Sequence, residues 1–418
     1  MRWAMLLGAA AGWACADAPT SPATRVPPAG LEAAKFWDDL AATRWNERAT
    51  VLLQGSPSAA EGLPQIPAPP NGQAWASRML TYLSLAQYRA ALAASAAPAG
   101  PELPLVSAAV AGASYTVLQA FFGGEPGMRP ELSAAVRDPI LAYLARTFDA
   151  EARAPGFTEA GNRIGRAVAE AVVAQAKADG YFPGAALPAR NMDPGYWVPG
   201  PLPTSPTVRS LYGVRPFFLG EGDFPSAPAP FAVGSDALRA AADEVYAIVS
   251  VLPLDVRGAQ VAIARKWNKV APDGPFTAGE WNLVADRLIE AHERTELEAA
   301  RVLAYANAAA FDAQIDCFAS KFKYWLPRPA QVNTDIAPLR VFATPNHPSY
   351  PSGHSCISGA FGAMLSAEFP GDAGLLNAQV EEAGMSRIYA GIHYRFDIVA
   401  GRDVGERAAA KARAGSLE

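Results

Sequence analysis

Histidine is scarce in this chain, with four in 418 residues, and cysteine is scarcer still, with three. A catalytic or metal site built on these residue types therefore has few places to be. Long apolar runs are missing too. Beyond the N-terminus no segment approaches the ~20 apolar residues that a bilayer-spanning helix needs, which excludes a polytopic membrane protein. No run of lysine or arginine resembles a polyanion-binding arm, and the net charge of −5 with a pI near 5.6 excludes nucleic acid as the expected partner. Alternating β-branched stretches are nearly absent. Alanine-rich segments broken by leucine and valine take their place, so the predicted fold class is all-α.

Half of the residues are apolar, enough for one large core or two medium ones. The opening MRWAMLLGAAAGWACADA carries one arginine, a short apolar core and an Ala14-Cys15-Ala16 site. It reads as a signal peptide over residues 1–16, which predicts a periplasmic or secreted protein, with lipid modification at Cys15 left open. Cleavage leaves Cys317 and Cys356 in an oxidising compartment, either as a disulfide or as two buried thiols.

Residues 17–30 form a proline-rich arm. Helices are predicted at about 31–53, 73–96, 105–121, 131–153 and 158–179, separated by breaks such as PQIPAPPNG and GGEPGMRP, making an N-terminal helical half over 31–181. A Pro/Gly/aromatic connecting region follows at 182–232. A structureless stretch that long either wraps a surface or lines a cleft, and Tyr196, Trp197, Phe217 and Phe218 within it need apolar partners. The C-terminal helical half spans 233–418. There Thr277-Ala-Gly-Glu280 reads as a capping box opening a helix through WNLVADRLIEAHERTELEAA, with His292 on its solvated face. The next helix is expected to run through KFKYW and stop at Pro327.

Three of the four histidines, His347, His354 and His393, lie in the final quarter, each close to arginine, serine or glycine. Around them stand Lys321 and Arg328 in KFKYWLPRP, Ser352-Gly353-His354 in PSGH, and Arg387, His393 and Asp397 in SRIYAGIHYRFD. Three permanent cations exceed what one salt bridge uses. If they converge, they demand a multiply charged oxyanion such as phosphate or one of its mimics, because guanidinium forks bind such oxygens bidentately and lysine adds a point charge. Ser352 and Gly353 precede a predicted helix, where backbone N–H groups favour an anion, although Ser352 also serves as a plain N-cap. His354 then stands at the mouth, suited to proton transfer. His393, four residues before Asp397, can be fixed in one tautomer by that carboxylate.

These segments together resemble the type 2 phosphatidic acid phosphatase and vanadium haloperoxidase superfamily, whose signature is KxxxxxxRP, PSGH and SRxxxxxHxxxD. The matching positions are Lys321 to Pro329, Pro351 to His354 and Ser386 to Asp397, with every spacing kept. The resemblance implies an all-α fold of two helical halves. It implies that Lys321, Arg328, Ser352, Gly353 and Arg387 hold the oxygens of vanadate or phosphate, and that His354 is the acid–base group. It also implies that His393 is the vanadium ligand or the phosphorylated nucleophile, oriented by Asp397.

Two chemistries follow from the resemblance. A vanadate-dependent haloperoxidase would oxidise halide with hydrogen peroxide, Lys321 polarising the bound oxygen. A secreted acid phosphatase would hydrolyse phosphate monoesters through phosphohistidine at His393 and needs no cofactor. Chain length and two helical halves look like the haloperoxidase branch. His347, seven residues before His354, sits where algal bromoperoxidases carry histidine, which favours bromide; its plain alternative is a polar turn residue. A non-catalytic anion-binding module has no need of His354 or of the His393–Asp397 pair. The expected partner is a small molecule or oxyanion.

Overall fold

The computed structural model describes residues 40–54, 63–67, 72–98, 105–129, 132–182, 184–200, 205–251, 254–269 and 274–418. The expected signal peptide, with Cys15, and the proline-rich arm lie outside them. Among the described residues there are thirteen α-helices and no strand. The first half contains α1 (Ala41–Gln54), α2 (Gly72–Ser95), α3 (Val106–Phe122), α4 (Ala134–Ala152) and α5 (Glu159–Lys177). The second contains α6 (Asp236–Val249), α7 (Leu254–Lys266), α8 (Phe276–Ala291), α9 (Glu296–Tyr324), α10 (Pro329–Val332), α11 (Gly353–Glu368), α12 (Ala373–Tyr389) and α13 (Arg395–Ala414).

Local chemistry sets the helix ends. Thr158 caps α5 by accepting from the Gly161 N–H, with Glu159 in the first turn and Lys177 in the last, each opposing the helix dipole. The capping box expected at Thr277 is not there. The helix begins two residues earlier, after Pro275, so Thr277 is buried inside its first turn. The working box is Thr295 with Glu298, at the start of α9. Between the two, the helix predicted to run on through His292 breaks. His292 closes α8, its Nε2 2.7 Å from Asp372 Oδ2 and its ring against Phe369.

The central element is α9. It is buried nearly all round, packing against α2 of the first half and against α11 and α13 of the second. Its alanines keep these helices close. Glycine does the same between α3 and α5, where a Cβ on Gly165 would lie 1.9 Å from the Ala109 carbonyl oxygen.

The connecting region wraps this core. Its described residues hold one 3-10 turn, Arg209–Leu211, and its aromatics find the apolar partners they need. Trp197 packs on Trp325, Phe217 on Tyr82 and Phe218 on Tyr305. Two buried carboxylates of α9 clasp its backbone. Asp312 accepts the N–H groups of Phe217 and Phe218 at 2.7 Å and of Leu219 at 3.2 Å, and Asp316 accepts the N–H and hydroxyl of Ser226. Burial pushes the Asp312 carboxyl up to about 7, against the pull of its three backbone donors.

Candidate active site

Four chain segments bring the sequence-predicted residues together. Lys321 lies in the last turn of α9; Trp325 then turns the chain in the left-handed region at φ 48°, and Arg328 caps α10. The loop 347–352 leads into α11, with Ser352 as its N-cap accepting from the Ser355 N–H at 3.4 Å. Arg387 is in the last turn of α12, and His393 and Asp397 flank the start of α13. The approach of α13 to α11 depends on Gly401 and Gly405, one turn apart. A Cβ on Gly401 would come 2.7 Å from the Ser352 carbonyl, and one on Gly405 2.4 Å from that of Cys356. Side chains there would lift Asp397 away from the loop.

His393 is held at both ring nitrogens. Its Nδ1 is 2.7 Å from Asp397 Oδ2, and its Nε2 is 2.9 Å from Arg328 Nη1. The carboxylate accepts Nδ1–H and the guanidinium can only donate, so the tautomer carries its proton on Nδ1 and a lone pair on Nε2. Asp397 Oδ2 also accepts from the Ser349 hydroxyl at 2.6 Å and the Tyr394 N–H at 3.2 Å, while Oδ1 has no partner. Arg328 further donates to the carbonyls of His347 (3.0 Å) and Ile392 (2.8 Å), and its Nη2 is 3.1 Å from His347 Nδ1.

Lys321 behaves differently from the sequence expectation. Its three donors are all engaged by the loop, with the carbonyls of Pro348 at 3.0 Å, Ser349 at 2.7 Å and Pro351. It shapes the loop and contributes charge, and has no donor left for a guest. Ser352 differs as well, because its backbone N–H donates to the Asp397 carbonyl at 2.9 Å. Its hydroxyl proton and the N–H groups at the start of α11 remain as donors.

Arg387 and His354 meet at the C-terminal end of α7. Arg387 Nη2 donates to the Ala264 carbonyl at 2.9 Å and His354 Nε2 lies 3.0 Å from that of Trp267, fixing the His354 proton on Nε2 and leaving Nδ1 as acceptor. Arg387 Nε donates to Ser386 Oγ at 2.9 Å and its guanidinium covers the Phe342 ring, with no protein acceptor for Nη1 among the described residues. His347 packs edge-on against Phe318. Cys317 and Cys356 are free, fully buried thiols beside the loop, Cys317 Sγ lying 3.7 Å from the Pro351 carbonyl.

The family model described as PAP2 superfamily matches residues 300–412, the span that carries every one of these side chains. The whole chain has solved structural relatives. A first bacterial vanadium-dependent iodoperoxidase is 20% identical with a TM-score of 0.71, covering 90% of this chain and 95% of that one. A holo-type bacterial vanadium-dependent chloroperoxidase is 13% identical with a TM-score of 0.60, over 81% and 90%. Its apo-type counterpart is 14% identical with a TM-score of 0.60, over 83% and 93%. At these identities the likeness is one of fold. No curated protein matches the chain.

The electrostatics of the matched segment are lopsided. Lys321, Arg328 and Arg387 are at most 1% exposed, and the one carboxylate hydrogen-bonded into the group is Asp397, so about two positive charges are uncompensated. Burial lowers Lys321 to about 8, which leaves it cationic at neutral pH. Burial, reinforced by Arg328 and Lys321, holds His393 well below the usual histidine range. His354 is held down by burial and then Arg387, and His347 by burial, Lys321 and Arg328. All three imidazoles are therefore neutral at pH 7. Burying unpaired cations is costly, so such a cluster calls for an anion. Spare donors for one are Arg387 Nη1, the second Nη2 hydrogen of Arg328, the Ser352 hydroxyl and the N-terminus of α11. No group of three or more His, Cys, Asp or Glu side chains is placed to hold a metal ion among the described residues. The donor set thus fits vanadate or phosphate and not a bare cation.

Sequence reasoning missed Ser349, the α7 carbonyls and the Gly401/Gly405 contact. Ser349 carried a signal in its place between His347 and PSGH. The α7 carbonyls carried none, because any residue supplies one.

Proposed function

We propose that this protein is a vanadate-dependent haloperoxidase that oxidises halide, with bromide favoured, using hydrogen peroxide. One observation carries the reading: two buried cations, Arg328 and Lys321, and one carboxylate flank a neutral His393 whose Nε2 lone pair faces Arg328, while the third buried cation, Arg387, stands by the neutral His354. The architecture shared along 90% of the chain with an iodoperoxidase supports a haloperoxidase over a phosphatase.

In this reading Arg328, Arg387, the Ser352 hydroxyl and the Gly353 N–H would hold the oxyanion, and His393 Nε2, which accepts from Arg328 Nη1 in this structure, would be the protein ligand atom once that hydrogen bond gives way. Bound vanadate supplies the Lewis acidity that activates hydrogen peroxide toward halide. Asp397, itself held by Ser349, keeps the His393 proton on Nδ1. Lys321 holds the loop carbonyls in place and adds positive charge at the site. His354, with Nε2 anchored on Trp267, exchanges a proton at Nδ1, and a bound dianion raises its affinity for that proton.

The test is a paired assay. After loading with orthovanadate, the purified protein is expected to brominate a dye acceptor when peroxide and bromide are supplied, with phosphate competing for the site. Hydrolysis of p-nitrophenyl phosphate inhibited by vanadate, with no oxidation of iodide, bromide or chloride, would replace this reading by the acid phosphatase.

A further inference from the structure

Away from the anion site, α9 and the connecting region flank a half-open cavity of about 690 Å³, within the ~300–1,000 Å³ typical of small-molecule sites. Its floor is Leu211, Ile315 and Phe322, each at most 1% exposed, and Trp325 adds an aromatic wall. These walls are braced. Phe322 packs against Tyr212 at 6.2 Å and Trp325 at 5.5 Å, and Asp316, one turn from Ala319 on the same helix, holds Ser226 beside the Phe224-Pro225 edge. Polar groups are few. Asn191 lines the cavity, and Lys323, exposed at the rim, forms no ion pair with any described carboxylate, its ammonium resting over the Tyr324 ring. The chemistry is therefore an apolar, aromatic chamber with one unmatched positive charge at its edge.

We propose that this cavity binds an amphipathic monoanion, an apolar chain or ring system ending in one carboxylate or sulfonate that pairs with Lys323. The apolar body fills the chamber and offsets the exposed ring surface, while the single charge sets orientation and rejects cationic analogues. The wall continues to the anion loop through ring contacts, Phe322 to Phe318 at 6.0 Å and Phe318 to His347 at 5.1 Å.

The probe is 1-anilinonaphthalene-8-sulfonate, titrated by fluorescence into the full-length protein. It is expected to bind saturably and to be displaced by decanoate but not by decyltrimethylammonium. Ala319→Phe, which fills the chamber from its lining, abolishes binding, and Lys323→Glu weakens it about fivefold, the weight of one partly exposed charge pair. Unchanged circular dichroism in both variants separates these effects from misfolding. Val399→Glu, in a separate apolar cavity lined by Phe231 and Phe396, leaves binding unchanged. The proposal is overturned if the wild type does not bind, if the cation displaces as well as the acid, or if Val399→Glu removes binding while Ala319→Phe does not.

Discussion

Replacing Ser349 with alanine tests how the His393–Asp397 pair is tuned. The hydroxyl donates to Asp397 Oδ2 at 2.6 Å, both residues are fully buried, and Oδ1 has no partner, so Oδ2 alone carries the hydrogen bonds that stabilise the carboxylate. Burial pushes Asp397 up to about 6, with Ser349 the strongest opposing influence. A hydrogen bond to a charged group is worth about 1.5–3 kcal/mol, and one pKa unit is about 1.4 kcal/mol, so its loss moves the carboxyl up by roughly 1–2 units. Protonated Asp397 no longer holds the Nδ1 proton of His393 as a carboxylate does. The acid limb of the pH–rate profile should therefore move from near 6 to between about 7 and 8, with much of the activity restored at higher pH, and Ser349→Thr should keep the original limb. Stability adds a second check with a defined sign. Because the folded pKa lies above the ordinary carboxylate value, the folded state binds the proton more tightly, and stability falls as pH rises toward the folded pKa. Ser349→Ala should thus be more destabilising at pH 7.5 than at pH 5. Denaturant melts at both pH values and kcat/KM profiles read the two effects. An unmoved acid limb with merely reduced rate would refute the reasoning.

Other outcomes follow from the same geometry. Orthovanadate or phosphate at 100-fold over Kd should stabilise the protein by about 2.7 kcal/mol and raise Tm by several degrees; Arg387→Ala should remove most of that shift, and no wild-type shift in a thermal melt would contradict the anion site. Lys321→Met strands three loop carbonyls and should cost about 3 kcal/mol or more in denaturant melts. Lys321→Arg, whose planar fork differs from a tetrahedral ammonium, should fail to restore activity. Asp312→Asn replaces a carboxylate accepting three N–H groups with an amide that accepts at one oxygen; limited proteolysis should cut within 217–226 sooner, and an unchanged cleavage rate would count against the clasp.

The helical class was legible because alanine and leucine dominate where β-branched alternation is absent, and the observed α2, α3 and α5 fall within one or two residues of expectation. The capping box was misplaced because Thr277-x-x-Glu280 has the right letters, yet Pro275 starts that helix earlier; the same letters at Thr295 make the real one. At the site, spacing identified the charged groups, since their chemistry is written in their side chains. Their hydrogen-bond partners were less visible. Lys321 is saturated by main-chain carbonyls and His354 anchored by another, contacts that no residue type announces. The Gly401/Gly405 spacing could have been read as a close helix crossing, but only knowledge of the partner helix turns it into a statement about Ser352 and Cys356.

That α9 is lined on one side by the first half and on the other by α11 and α13 bears on any attempt to excise the superfamily segment as a minimal enzyme. Cutting near residue 300 would sever Thr295 and Glu298 from the helix they start and strip away the Phe217 ring that packs on Phe311, with Tyr82 behind it. The Asp312 carboxylate would keep its charge but lose its three donors. The fragment would contain every reactive group and no means of keeping them dry, and insoluble expression is its expected fate.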